Sequence, residues 1–185
     1  MDRNEDLPRV IVITGAMAAG KSSVAQALAE RLPRAAHVRG DVFRRMIVSG
    51  TAPMMPDPTE EALAQLRLRY ELGCMAAERY AEAGFVAVYQ DVILAQYLTA
   101  AVERLARWKP GVVVLAPTVP TLVARERGRA KKVYTDAWTP GLLGELVQEH
   151  TPRIGHWIDS SALDVAATVD AILAEPAAMR RGLPS

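Results

Sequence analysis

The sequence predicts an α/β fold, with a five-stranded parallel sheet covered by helices on both faces. Short apolar runs rich in β-branched residues alternate with helical patterns along the whole chain, the pattern expected of parallel strands joined by crossover helices. Of the 185 residues, 50% are hydrophobic and 23% charged, which excludes a disordered chain. The length favours one domain spanning 1–185 with a proper core, and no internal repeat, low-complexity tract or linker interrupts it.

Val10 to Thr14 (VIVIT) is the clearest strand, closed by Gly15. Ser22 to Leu32 reads as a helix, with Val24, Leu28 and Leu32 on one face and Pro33 as its stop. A weaker strand, Ala36 to Arg39, ends at Gly40-Asp41, and a short helix from Val42 to Val48 leads into the Pro-rich loop 49–58. Thr59 caps a long helix on which Leu63, Leu66, Tyr70, Cys74, Ala77 and Ala81 recur at steps of three and four, and Gly84 ends it. Phe85 to Gln90 is the third strand, with Asp91 at its C-terminal end. Leu94, Leu98, Ala101 and Leu105 mark the next helix, and Val112 to Ala116 the fourth strand. After a basic segment comes a helix of about ten residues ending before Gly155. His156 to Asp159 then gives a short fifth strand. Ser161 with Asp164 resembles a capping box for a last helix to about Leu173, and the tail from Glu175 is expected to fray.

The formal net charge is +1, so no global basic field recommends nucleic acid or an anionic membrane as a partner. A lone Cys74 excludes an internal disulfide and suits a reducing compartment. The apolar run Val10 to Ala19 is too short to span a membrane and follows an acidic leader; the expected location is cytoplasmic. His37, His150 and His156 show no metal spacing, and no Ser-His-Asp or Cys-His arrangement supports hydrolase chemistry.

Gly15-Ala16-Met17-Ala18-Ala19-Gly20-Lys21-Ser22 fits the phosphate-loop pattern in every fixed position, between a buried strand and the first turn of a helix. Glycines let the backbone curl so that successive N–H groups face inward, and the helix N-terminus adds its positive dipole end. Gly15 through Ser23 are therefore the expected ATP-binding residues, with Lys21 reaching the β- and γ-phosphates and Ser22 binding Mg²⁺. Such a loop implies a nucleoside triphosphate and leaves open what is done with it.

Three further features decide between uses: Gly40-Asp41 after the second strand, Tyr-Gln-Asp91-Val at the end of the third, and Arg125-Glu126-x-x-Arg129 after the fourth. With the loop, they give the chain a resemblance to the small-molecule kinases of the P-loop class (shikimate, gluconate, adenylate and adenylylsulfate kinases), and especially to the chloramphenicol phosphotransferase family. The resemblance implies a P-loop NTPase fold of the nucleoside-monophosphate-kinase type, with a helical lid over about 120–140 and a roof over the acceptor pocket from about 44 to 83. It also implies that Asp41 is the base and a substrate anchor, that Arg44 contacts substrate, and that Lys21, Arg125 and Arg129 are catalytic.

Each residue has a plainer alternative. Asp41 after Gly40 is also a common helix N-cap. Asp91 leaves an apolar strand as a charge, for Mg²⁺ or a substrate group, or else caps the following helix. Arg125 and Arg129 share a helix face if the helix continues, and their planar forks suit phosphate oxygens; the run 125–132 also fits a solvated basic face. Met54, Met55, Tyr70 and Tyr97 line the acceptor pocket or are core. The expected function is ATP- and Mg²⁺-dependent phosphoryl transfer to a small-molecule hydroxyl, on an antibiotic or other secondary metabolite, by a monomer or simple homodimer. The alternatives are a metabolite kinase of the gluconate or shikimate type and a nucleotide-binding switch, although the guanine motif of a switch is missing.

Overall fold

The computed structural model describes residues 7–128 and 134–183. Strand β1 (Val10–Gly15) is buried at all six positions. It lies at the centre of a parallel sheet whose strand order is β2-β3-β1-β4-β5. The partners are β2 (Ala35–Arg39), β3 (Val86–Gln90), β4 (Gly111–Leu115) and the short edge strand β5 (His156–Ile158). Ile11 pairs with Val88 on one side and Gly111 on the other, so the three apolar runs form the core.

The chain steps one way along the sheet from β1 to β2, then returns past β1 to β4. Right-handed crossovers therefore put α1 (Lys21–Glu30) on one face and α3 (Glu60–Glu82) and α4 (Gln96–Arg104) on the other. The last helix, α7 (Val165–Ala174), packs beside α1, and the short helices α2 (Gly40–Arg45), α5 (Val119–Arg127) and α6 (Pro140–Glu145) stand near the C-terminal edge of the strands. The expected five-stranded three-layer α/β/α fold is the one found. The stripe on α3 buries Cys74, Ala77 and Ala81, and Thr59 caps that helix through Ala62 N–H at 3.2 Å. Among the described residues no helix is long and apolar enough to cross a membrane.

Several local expectations are corrected. Helix α2 spans Gly40–Arg45 rather than Val42 to Val48, and its first residue, Gly40, lies directly against the Asp91 side chain. The helix expected before Gly155 is α6 followed by a π-helical turn, Leu146–His150. Asp164, not Ser161, caps α7, accepting from Ala167 N–H at 2.7 Å; Ser161 bonds Asp159 instead. The tail does not fray through Arg180. It forms a 3₁₀ turn, Pro176–Arg180, in which Ala178 and Met179 are buried, and Met179 packs against Gly111 at the start of β4. A buried thioether contributes more there than solvated backbone would.

Candidate active site

The loop between β1 and α1 opens at the C-terminal edge of the sheet, beside the point where strand order reverses, where open α/β folds bind ligands. Two glycines make its curl: Gly15 at φ +142° lies so close to the Leu115 carbonyl that a Cβ would collide, and Gly20 at φ +95° turns the chain into α1. Ala18 also holds a left-handed conformation, φ 59°, a local strain of the kind stored at ligand sites. Lys21 is more buried than a loop-edge residue, and its Nζ donates to the Ala16 carbonyl at 2.7 Å. Ser22 and Ser23 are exposed in the first turn of α1.

Asp41 lies in the first turn of α2 and makes no capping bond, so the cap reading loses its basis. Arg45 Nη2 donates to its Oδ2 at 2.9 Å. Its other oxygen, Oδ1, accepts no hydrogen bond among the described residues, with Arg39 Nε at 3.7 Å. Arg44 is exposed on the same helix.

Asp91 follows β3, which stands between β2 and β1, so along the sheet edge its carboxylate lies between Asp41 and the phosphate loop. It is 2% exposed and fully engaged. Arg69 of α3 forks onto both oxygens, Nε to Oδ2 at 2.7 Å and Nη2 to Oδ1, while Val92 N–H donates to Oδ1 at 2.7 Å. Burial works to lower the Arg69 pKa, but the charge and hydrogen bonds of Asp91 outweigh it and hold the guanidinium firmly protonated. A Cβ on Gly40 would land inside the Asp91 carboxylate. Sequence reasoning missed Arg69, although a signal existed: it falls on the apolar stripe of α3, three residues after Leu66 and four before Gly73.

Across the loop, Arg125 of α5 donates from Nη1 to the Ala19 carbonyl at 3.1 Å and from Nη2 to the Ser160 carbonyl at 2.6 Å. It thus ties the phosphate loop to the segment after β5. Arg129, its expected companion, lies outside the described residues. Tyr134 Oη donates to the Met17 carbonyl at 2.6 Å, and Trp138 Nε1 to the Met54 carbonyl at 2.7 Å. Residues 134–138 therefore bridge the phosphate loop and the 52–58 loop, a link without a sequence signature.

The rings of Tyr70 and Tyr97, 5.6 Å apart, border a groove of about 260 Å³ between α3 and α4. Met55 is exposed. A cavity of about 280 Å³ opens beside Ala16 over the end of β4, lined by Pro117, Thr118, Glu145, Gln148 and Glu149. No group of three or more His, Cys, Asp or Glu side chains among the described residues is arranged to hold a metal alone. A cation here would need the Ser22 hydroxyl and oxygens of a ligand.

A family model described as an AAA domain matches residues 10–142. No curated protein matches the chain in sequence. Among solved structures, the chain is similar to a gluconokinase from Sinorhizobium meliloti 1021, at 22% identity and TM-score 0.66, covering 96% of each chain. A sugar kinase from Janibacter sp. HTCC2649 gives 15% identity and TM-score 0.67, over 94% of this chain and 99% of that one. The tunicamycin resistance protein of Deinococcus radiodurans gives 20% and 0.63, over 91% and 95%. At these identities the likeness is one of fold.

Proposed function

The chain belongs to this family of AAA domains, and from that membership and the site geometry we propose that it is an ATP-dependent phosphotransferase acting on a hydroxyl group of a small molecule. The observation that carries the reading is Asp41: a carboxylate at the phosphate-loop edge of the sheet, with Oδ2 held by Arg45 and Oδ1, 3.7 Å from Arg39 Nε, accepting no hydrogen bond among the described residues. Such an oxygen suits removal of a proton from an attacking hydroxyl. The gluconokinase and the sugar kinase that share this fold support the same reading.

In this reading the backbone N–H groups of the curled loop and Lys21 hold the β- and γ-phosphates, with Lys21 exchanging the Ala16 carbonyl for phosphate oxygen. The Ser22 hydroxyl would be the protein's ligand for a Mg²⁺ bound with the nucleotide, which would supply charge neutralisation at the transferring group. Asp91 is taken up by Arg69, and its role is in the frame of the site rather than as a direct ligand of the cation. Arg125 and Arg129 close over the phosphates in a lid spanning about 120–140, and the segment from about 44 to 83 roofs the acceptor. Arg44 reaches the acceptor's periphery.

Sugar acids, by likeness to the gluconokinase, and antibiotics, by likeness to the resistance protein, are the acceptor classes to try first. The test is ADP release measured over a panel of antibiotics, sugar acids, shikimate and nucleosides. Release stimulated by one hydroxyl compound, with the phosphorylated product found by mass spectrometry, supports the reading. Release that no acceptor stimulates overturns it in favour of a nucleotide-binding switch.

A further inference from the structure

We propose that Arg69 is a positioning residue: its fork on Asp91 braces the end of β3 against Gly40 and so fixes where α2 presents Asp41. The inference rests on the phosphotransferase reading and deepens it.

The argument is one of contact without slack. The Asp91 carboxylate is buried, and its two oxygens are engaged by Arg69 Nε at 2.7 Å, Arg69 Nη2 and Val92 N–H at 2.7 Å. A charge so placed stays put only while its partner does, because an unpaired buried carboxylate is driven towards water. Gly40 meets that carboxylate so closely that no Cβ fits. Asp41 is the next residue, on a helix of only six residues that packs against α3, the helix carrying Arg69. Arg69 thereby joins three elements: α3 through its own backbone, β3 through Asp91, and α2 through Gly40. The bidentate geometry is the essential part, since a lysine would keep the charge but not the planar fork. Nothing in this account needs Arg69 to touch either substrate.

The test compares turnover of wild type, R69K, R69Q, D91N and R69Q/D91N with the hydroxyl compound that most stimulates ADP release in the panel above, and adds a crystal structure of R69K. A misplacement near 1 Å in a reacting group lowers rate by about 10²-fold, so R69Q should lose roughly that in kcat, with R69K between it and wild type. KM for ATP should stay unchanged, since the phosphate loop is not moved. The double variant should be no slower than the slower single variant, because both changes remove one device. In the R69K structure the Asp41 carboxylate should be displaced relative to Lys21. Wild-type kcat in folded R69K and R69Q, with only a lower melting temperature, overturns the proposal by reducing the pair to structural support. If R69Q does not fold, R69K decides alone. If the wild type shows no acceptor-dependent turnover, the phosphotransferase reading falls, and the R69K structure still judges the brace: an unmoved Asp41 overturns it.

Discussion

Lys21 turns its ammonium back onto the loop that carries it, donating from Nζ to the carbonyl oxygen of Ala16 at 2.7 Å. The bond keeps a buried cation satisfied until a stronger acceptor arrives, and a phosphate oxygen, being charged, is one. Lys21→Ala should therefore abolish phosphoryl transfer and weaken ATP binding, while the circular dichroism spectrum stays that of the wild type. Calorimetric titration with ATP checks it; unchanged affinity together with unchanged turnover would remove the phosphate-loop assignment.

Asp41→Asn isolates the proposed base. Asparagine keeps an oxygen for Arg45, and since Asp41 makes no capping bond the change costs the helix little. Turnover should fall by about 10²–10⁴-fold, the span of general acid–base contributions, while nucleotide affinity and melting temperature hold. Steady-state kinetics and a melting curve suffice, and near-normal turnover would place the base elsewhere.

What was legible in the sequence was what is written contiguously. The VIVIT strand, the phosphate loop and the first turn of α1 follow one another along the chain, so residue type and spacing were enough. The engagement of Asp91 was not, because its partner Arg69 is 22 residues away and meets it only after α3 folds back over β3. The docking of Met179 likewise needs Gly111 brought beneath it. Arg125 was recognisable as a candidate, but its partners are backbone carbonyls of Ala19 and Ser160, which carry no signature at all.

Gly73 is a stability prediction of the same tertiary kind. In a helix, Gly→Ala normally gains about 1 kcal/mol. At Gly73, however, the added methyl would meet the ring and hydroxyl of Tyr89, which is fully buried. Overpacking of this sort costs about 1–3 kcal/mol, so Gly73→Ala should be net destabilising in urea unfolding. The Tyr89 hydroxyl has no hydrogen-bond partner among the described residues. Tyr89→Phe should then be near neutral, and in combination should recover part of the Gly73→Ala loss; strict additivity of the two would refute the clash.

Cys74 supplies a pH dependence. Burial pushes its thiol from 9.0 up to about 12. Between those values the unfolded chain releases the proton and the folded chain keeps it. The folded state thus binds more protons, and stability must fall as pH rises through that window. Cys74→Ala should flatten the alkaline slope of the unfolding free energy. At pH 8 a thiol reagent should label native protein only as fast as it opens; labelling at the rate of a free thiol would show the site to be exposed.

The last prediction separates geometry from charge at Arg125. In this state its guanidinium holds two carbonyls, of Ala19 and Ser160, with one nitrogen each. A planar fork can pass from carbonyls to phosphate oxygens by a small shift of the same donors, whereas an ammonium offers no such paired arrangement. Donors of this kind contribute most when charge is redistributed in the transition state. Arg125→Lys should accordingly reduce kcat by about 10–10³-fold, short of the 10³–10⁵ of a lone arginine finger because the proposed lid carries a second arginine, Arg129. ADP affinity should change little. Arg31→Lys, which alters an exposed pair with Asp170 between α1 and α7, serves as the control and should be silent. Single-turnover kinetics on the three proteins decides between readings: if Arg125→Lys weakens ADP binding as much as it slows transfer, Arg125 fastens the loop after β5 and acts on the ground state alone.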